Sequence, residues 1–205
     1  MKKKTLILLA ILSVTAWVSN ASQQQLAKSI QEARIETGRT AEQLKATVSA
    51  LNALTKQTKG DLRPSYDAYC TEVTRTESVA ASTRNRIQWM AGDGRQYFRD
   101  WQQTINGIAN ESLRKKAQKR FDSVQADYDK VEVSLKEAGD KFKPFLSDLN
   151  DIKSTLASDV TPSGVKAVRG TVRSANWDHK FVTRSVDTAL KGMGEMEKSL
   201  SSEMK

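Results

Sequence analysis

Apolar residues recur every three or four positions along most of this chain, and this spacing constrains its fold more than any other feature. The last segment shows the pattern most clearly, with His179 as the only polar residue among eleven repeating positions. These positions are Val165, Val168, Val172, Ala175, His179, Val182, Val186, Ala189, Met193, Met196 and Leu200. A period of 3.5 residues is typical of helices that wind around one another in a left-handed supercoil. The pattern therefore predicts long helices packed along continuous apolar seams.

Short polar connections divide the chain into four predicted helices. Their approximate bounds are 22–58, 62–107, 111–157 and 162–203. Thr161-Pro162 marks the start of the last helix, because a hydroxyl N-cap followed by proline suits a first turn. Since short connections place consecutive helices side by side, we predict an all-α fold, an elongated antiparallel four-helix coiled-coil bundle formed by one domain over residues 22–205. Such a core is filled by side chains and leaves no room for a large pocket.

The apolar repeat differs in regularity between the other three predicted helices. In the third, apolar positions run from Leu113 to Leu156, and Pro144 lies off the seam, so we expect a kink there but no helix end. In the first, Thr37 and Thr40 occupy seam positions and indicate a less stable helix. The second has one strong position every seven residues: Tyr66, Val73, Ala80, Ile87, Gly94, Trp101 and Ile108.

Several glycines lie inside predicted helices. They are Gly38, Gly92, Gly94, Gly139, Gly170, Gly192 and Gly194. Each costs up to about 1 kcal/mol relative to alanine at an exposed position. We expect them either to permit close approach of neighbouring helices or to let the helices flex.

The N-terminus has the three parts of a secretory signal peptide. Lysines at positions 2–4 precede a mostly apolar run over residues 5–18, and Ser19-Asn20-Ala21 places small residues at the cleavage site. The run is short for a bilayer span, so we predict cleavage after Ala21, with retention as a membrane anchor as the alternative. No cysteine lies near this site, so a lipoprotein anchor is not indicated. We therefore predict a periplasmic or secreted protein.

The chain is basic, with 33 Lys and Arg residues against 24 Asp and Glu residues and a net charge of +9. Cleavage after Ala21 would remove three lysines and no acid, leaving a net charge of +6. In an exported protein this charge favours an envelope protein or an anionic membrane or cell-wall surface as partner, and argues against nucleic acid. A solvated basic surface without a partner is the alternative.

Cysteine and histidine counts exclude the usual zinc and haem sites. Cys70 and His179 are the only residues of their kinds, which is too few for a tetrahedral Cys/His zinc site, and no C-x-x-C-H motif occurs. Asn176 stands where a di-iron bundle would have the glutamate three residues before histidine. Cys70 lies beside the second seam, so we predict burial, with an intermolecular disulfide as the alternative. We predict no cofactor and no metal.

His179 is the first candidate functional residue. A catalytic histidine needs a nucleophile or an orienting carboxylate within hydrogen-bond reach, and the adjacent Asp178 points about 100° away on a helix. A buried, neutral histidine bonded to a Tyr, Thr or Ser hydroxyl across the bundle is the simplest interpretation. The alternative is a pH-sensitive core layer, in which protonation near a pKa of about 6.5 places a charge in the seam.

The second candidate is a basic segment at the start of the third helix. It contains Arg114, Lys115, Lys116, Lys119 and Arg120, and we expect Arg95 and Arg99 of the preceding helix nearby. A solvated helix start explains the segment, although cations oppose the dipole at a helix N-terminus. The functional alternative is a patch that binds an anionic partner, either phosphate head groups or an acidic protein. The tryptophans Trp89, Trp101 and Trp177 are predicted to be packing anchors.

Two stretches of the chain resemble a known family. "FRDWQQTINGIANESLRKKAQKRF" and "DKFKPFLSDLNDIKSTLASDVTPSGVKAV", with the heptad around Tyr128, are similar to the bacterial domain-of-unknown-function family 2959 over roughly residues 26–200. The resemblance implies an exported helical envelope protein and supplies no catalytic residues. Many family members look like lipoproteins with a cysteine at the leader end. This chain has Ala21-Ser22 there, so a membrane tether is not implied for it.

These observations favour a non-enzymatic structural or protein-interaction module of the cell envelope. The alternative is a periplasmic holdase chaperone for unfolded envelope proteins, which basic charge, export and long helices would suit. An enzyme is least supported, because no nucleophile–base pair or metal-ligand pattern occurs. The pattern suits both a monomer and a homo-oligomer.

Overall fold

The computed structural model describes the backbone of residues 3–202 and the side chains of residues 21–200. Over this range the regular secondary structure is entirely helical and contains no strand, which confirms the all-α part of the predicted fold, and the antiparallel four-helix coiled-coil bundle stays a prediction. The five helices are α1 Lys3–Lys56, α2 Arg63–Asn106, α3 Glu111–Ser158, α4 Pro162–Ala167 and α5 Arg169–Ser202. The side chains of residues 1–20 in the predicted leader lie outside the described residues, so the signal peptide stays a prediction.

Predicted connecting and capping residues lie at the helix ends. The Asn110 side chain caps α3, because its Oδ1 accepts a hydrogen bond from the Leu113 amide at 3.0 Å. The Thr161 hydroxyl accepts from the Gly164 amide at 3.3 Å, with Pro162 in the first turn of α4. Pro144 lies inside α3 without ending it, as predicted.

The predicted fourth helix is interrupted once, and this is a correction. Val168 separates α4 from α5 with φ −86° and ψ 3°, and its amide donates to the carbonyl oxygens of Gly164 and Lys166. Val165, Val168 and Val172 are all buried, so the apolar seam runs unbroken through the interruption. Apolar spacing records which residues face a core, and it therefore cannot reveal a single turn of altered backbone.

The described chain divides into two compact units. The first contains the described residues up to Arg34, Arg86–Glu132 and the residues from Gly192 onward. Its buried apolar residues include Leu26, Ile30, Met90, Tyr97, Phe98, Ile105, Phe121, Val124, Tyr128, Val131, Met193, Met196 and Leu200. Polar bonds join its edges: the Gln23 side chain donates to the Leu200 carbonyl at 2.9 Å, and Arg34 pairs with Glu197 at 2.7 Å.

The second unit contains Ile35–Asn85 and Val133–Lys191. Its core includes Leu44, Leu51, Leu54, Leu62, Tyr66, Tyr69, Val73, Phe145, Leu149, Ile152, Leu156, Val165, Val172, Ala175, Val182 and Val186. Two buried tyrosines on α2 donate across to α3: the Tyr66 hydroxyl to the Lys153 carbonyl at 2.9 Å, and the Tyr69 hydroxyl to the Leu149 carbonyl at 2.7 Å. Each bond satisfies a buried polar group.

Buried threonines pair α1 with α2 inside the second unit. The hydroxyls of Thr47 and Thr76 lie 2.6 Å apart, and those of Thr40 and Thr83 lie 2.9 Å apart. The seam of α2 therefore passes through Thr76 and Thr83, whereas the predicted seam residues Ala80 and Ile87 are only half-buried. The prediction of a less stable first helix did not take into account that threonines on its seam can pair with hydroxyl groups on the second helix.

Some predicted core residues lie at the surface. Leu113, Trp89 and Trp177 are exposed, so the prediction of packing anchors is wrong for both tryptophans. Trp89 precedes the buried Met90, and since successive helical residues point about 100° apart, its ring faces outward. Trp101 is half-buried, as is Cys70. No helix in the described part of the chain is long and apolar enough to cross a bilayer.

Candidate functional site

The basic segment of α3 is presented directly by the Asn110 cap. Arg114, Lys115, Lys116, Lys119 and Arg120 are all exposed, as a surface patch requires. Lys115 Nζ lies 2.8 Å from Glu111 Oε1, one helical turn away. Glu111 is the acidic residue in the first turn of α3, so it offsets part of the unfavourable interaction between the cations and the helix dipole. The segment remains strongly positive.

A groove between α2 and α3 in the first unit adjoins this segment. The side chains of Gln102 and Gln118 exchange hydrogen bonds of 3.0 and 3.3 Å, which places the two helices side by side near the α3 start. The groove has a volume of about 420 Å³. Its lining is Arg95, Phe98, Arg99, Gln102, Phe121, Gln125, Tyr128, Asp129 and Glu132. Arg95 and Arg99 therefore lie close to the end of the basic segment, as the sequence suggested.

The largely buried rings of Phe98, Phe121 and Tyr128 form the floor of this groove, and further aromatic rings pack against them. Phe98 lies edge-on to Tyr128 and to Phe121, with ring centroids 5.3 and 5.7 Å apart. Trp101 packs on Phe121 at 5.4 Å and on Tyr97 at 5.5 Å. Edge-on pairs of this kind contribute stability beyond their buried area, so the floor is well ordered.

Tyr128 anchors the floor to the backbone of α2. Its hydroxyl donates to the Met90 carbonyl at 3.0 Å, and a Cβ atom built on Gly94 would overlap that hydroxyl. Gly94 therefore permits a close approach of the Tyr128 ring, one of the two roles expected for the helical glycines. Burial, with a further contribution from Glu132, raises the pKa of Tyr128, so the phenol acts as a hydrogen-bond donor and not as a base.

The rims of the groove carry opposite charges. Arg95 and Arg99 come from α2, and Arg99 donates to Gln96 at 2.6 Å. Asp129 and Glu132 come from α3. An aromatic floor between cationic and anionic rims suits an extended peptide better than a purely anionic ligand. Sequence reasoning predicted no large pocket because heptads describe the buried core, whereas this groove opens on the surface.

His179 lies in the second unit and is half-buried. Its Nε2 is 3.3 Å from the Thr183 hydroxyl on the same helix, and its ring centroid lies 6.0 Å from that of Phe145. The hydroxyl partner therefore lies on α5 itself and not across the bundle, and the ring is half-buried where burial was predicted. Burial lowers the pKa of His179, and the positive charge of Lys45 lowers it further.

Acidic, cysteine and histidine side chains do not cluster where the structure describes them. Among those residues, no three lie close enough together to hold a metal ion. The basic segment and the groove rims bring charged side chains together at the surface of the first unit. Such an arrangement is chemically suited to contacts through charge and aromatic rings.

Comparison with known proteins gives one match. The model of the family "Protein of unknown function (DUF2959)" matches residues 16–199, nearly the whole length. No curated protein and no solved structure matches the chain significantly.

Proposed function

Because the chain belongs to the DUF2959 family of proteins of unknown function, we propose that it is a non-enzymatic interaction module of the cell envelope. In this proposal the leader directs export and is cleaved after Ala21, and the helices pack as an antiparallel four-helix coiled-coil bundle. The exposed cations of α3 then bind an anionic envelope partner.

One observation carries this proposal: five exposed cations follow a capped helix start and adjoin a groove with an aromatic floor. Charged groups at the edge of an interface steer association, while aromatic contacts supply affinity. The cores of both units are filled with apolar side chains, which suits a scaffold.

Photo-crosslinking in living cells tests the proposal. A photoreactive amino acid replaces Lys115 or Lys119 in the basic segment, and Lys136 serves as the matched control on the same helix. Lys136 is also exposed and pairs with Asp140 at 3.1 Å. We expect one or two recurrent envelope partners at positions 115 and 119 and none at 136. An equal capture at all three positions would contradict the proposal.

The mixed-charge groove favours a second candidate, a holdase chaperone. A surface groove with aromatic rings at its base and both charges on its rims suits extended segments of unfolded proteins. An aggregation assay with an unfolded outer-membrane protein separates the two candidates. A holdase should suppress aggregation, and Arg99→Glu should weaken the suppression because it removes a cationic rim group. If neither protein affects aggregation, the chaperone candidate is wrong.

A further inference from the structure

Trp177 on α5 is a large aromatic residue whose side chain is left at the surface of the second unit. It is 61 % exposed, the largest fraction among the exposed large apolar residues in the described part of the chain. Its ring meets Phe181 edge-on with centroids 5.3 Å apart, and Lys180 Nζ lies 5.8 Å from its ring centre. An exposed indole beside a cation raises the question of what surface it contacts.

Cations surround this tryptophan on one side of the helix. Arg173, Lys180 and Arg184 stand four residues before, three after and seven after Trp177, and all are exposed. At 100° per residue, these side chains leave the helix within roughly 60° of Trp177. Together with the half-buried Phe181, they form what we call the Trp177 face.

The charges of the Trp177 face are not neutralised within the protein. In the part of the chain that the structure describes, none of Arg173, Lys180 and Arg184 forms an ion pair. Two carboxylates stand against these three cations on this stretch of α5, the half-buried Asp178 and the exposed Asp187. The face is therefore positive and is available to an anionic surface.

The opposite side of α5 holds the face in place. Val172, Ala175, Val182 and Val186 are buried in the core of the second unit. The helix cannot roll without exposing them, so the Trp177 face is presented rigidly outward. A rigid display lowers the entropy lost on binding.

We propose that the Trp177 face docks on the surface of a lipid bilayer that contains anionic lipids. Indole rings prefer the head-group level of a membrane, where the apolar ring is buried and the N–H stays hydrated. Cations near an anionic surface each raise affinity about fivefold. The apolar part is one tryptophan and part of one phenylalanine, which is little for a protein interface of roughly 800 Å² per partner but matches the shallow contact of interfacial aromatic residues with lipid head groups.

This face is separate from the basic segment of α3. The two lie in different units, and no aromatic residue occurs among residues 111–120 of the α3 start. The inference therefore goes beyond the proposed function, and the two proposals can fail independently.

Vesicle binding tests the inference. The protein is expressed with its leader and purified with whichever N-terminus the cell has produced. It is then mixed with phosphatidylcholine vesicles containing 0 or 30 % phosphatidylglycerol. We expect binding that requires phosphatidylglycerol and weakens with salt. Replacing Arg173, Lys180 and Arg184 together by glutamine should reduce affinity on the order of 100-fold. The charge-preserving pair Arg173→Lys and Arg184→Lys should retain it.

Tryptophan emission supplies a matched control within the same chain. Trp89 is 59 % exposed but lies outside the Trp177 face, with its ring under Arg86, which pairs with Glu32. In a background of Trp17→Phe and Trp101→Phe, which leaves Trp89 and Trp177 as the emitting residues, acyl chains brominated near the head group should quench Trp177 emission in Trp89→Phe. They should not quench Trp89 emission in Trp177→Phe.

Several outcomes would overturn the inference. They are equal affinity of the triple glutamine variant and the parent, equal quenching of the two tryptophans, and loss of binding only when Lys115 and Lys119 of the α3 segment become glutamine. Binding of polyglutamate but not of vesicles would assign the face to an acidic polypeptide and would also refute bilayer docking. Circular dichroism confirms that each variant remains folded, which we expect because every substituted cation is exposed.

Discussion

His179 is a polar residue among apolar ones, and its surroundings determine how it titrates. Its pKa in the folded protein is lowered by burial and by Lys45, so it lies below the ordinary value of about 6.5. The unfolded chain therefore binds this proton more readily than the folded protein does. Stability from this group is fully present above about pH 6.5 and is lost as the pH falls below that value, until the folded-state pKa is passed.

We expect the free energy of unfolding to decrease between pH 8 and pH 5 by more in the parent protein than in His179→Gln. The effect is modest because the ring is half-exposed to solvent. Urea unfolding followed by circular dichroism measures both proteins at both pH values. The pH-sensitive interpretation of His179 fails if the two proteins lose the same amount of stability, since the carboxylates they share titrate identically.

Gly94 and Gly139 should respond in opposite ways to alanine. Gly94→Ala must displace the Tyr128 ring and break its bond to the Met90 carbonyl, which costs about 1–3 kcal/mol of stability. Gly139 is exposed inside α3 with open space around it, so Gly139→Ala should stabilise by roughly 0.5–1 kcal/mol. Urea unfolding measures both changes. Stabilisation of similar size in both variants would show that Tyr128 moves without cost.

At the scale of the helix, hydroxyl pairs contribute where the apolar seam is interrupted. We expect Thr47→Val to cost about 1 kcal/mol, because it removes the 2.6 Å contact while Thr76 keeps its bond to the Glu72 carbonyl. Thr47→Val with Thr76→Val should cost less than the sum of the two single changes, since no hydroxyl is then left without its partner. Equilibrium unfolding of the parent, the two single variants and the double variant gives the coupling energy between the two threonines. Strict additivity of the two changes would argue against an energetic role for the pair.

The helices themselves follow from the sequence more fully than the surfaces do. Apolar spacing identified the buried faces of α3 and α5, and capping residues such as Asn110 and Thr161 located the ends. The same spacing misassigned α2, because threonine was not counted as a core residue although a partner hydroxyl makes its burial favourable. A groove such as that at Phe98 depends on which helices adjoin, and the period of a single helix does not contain that information.

Only part of the candidate site could be predicted from the sequence. Charge alone located the basic segment, since five cations near a helix start have no apolar seam to join. The Trp177 face was missed because tryptophan is usually buried in a core, and its exposure depends on one position of rotation around α5. Trp177 lies two positions after the seam residue Ala175, so on a helix it points away from the seam. This spacing could have identified it as an exposed residue.

At the scale of the whole molecule, the predicted leader determines which residue begins the exported protein. Protein purified from exporting bacteria should begin at Ser22, because signal peptidase reads the small side chains of Ser19 and Ala21. Intact-mass spectrometry measures the N-terminus. Ala21→Tyr should block processing and leave the full-length mass. Detection of only the full-length mass in the parent protein would favour the retained anchor.

The threonine pairs between α1 and α2 also bear on the uniqueness of the fold. An apolar heptad seam is self-similar, so sliding one helix past another by seven residues again places apolar side chains opposite one another. Thr40 and Thr47 are seven residues apart, as are Thr76 and Thr83, and both pairs form only in one alignment. A slip of one heptad keeps a single pair and leaves two hydroxyls facing apolar neighbours. These four small side chains thus fix the register of the two helices, a specificity that leucines alone do not provide.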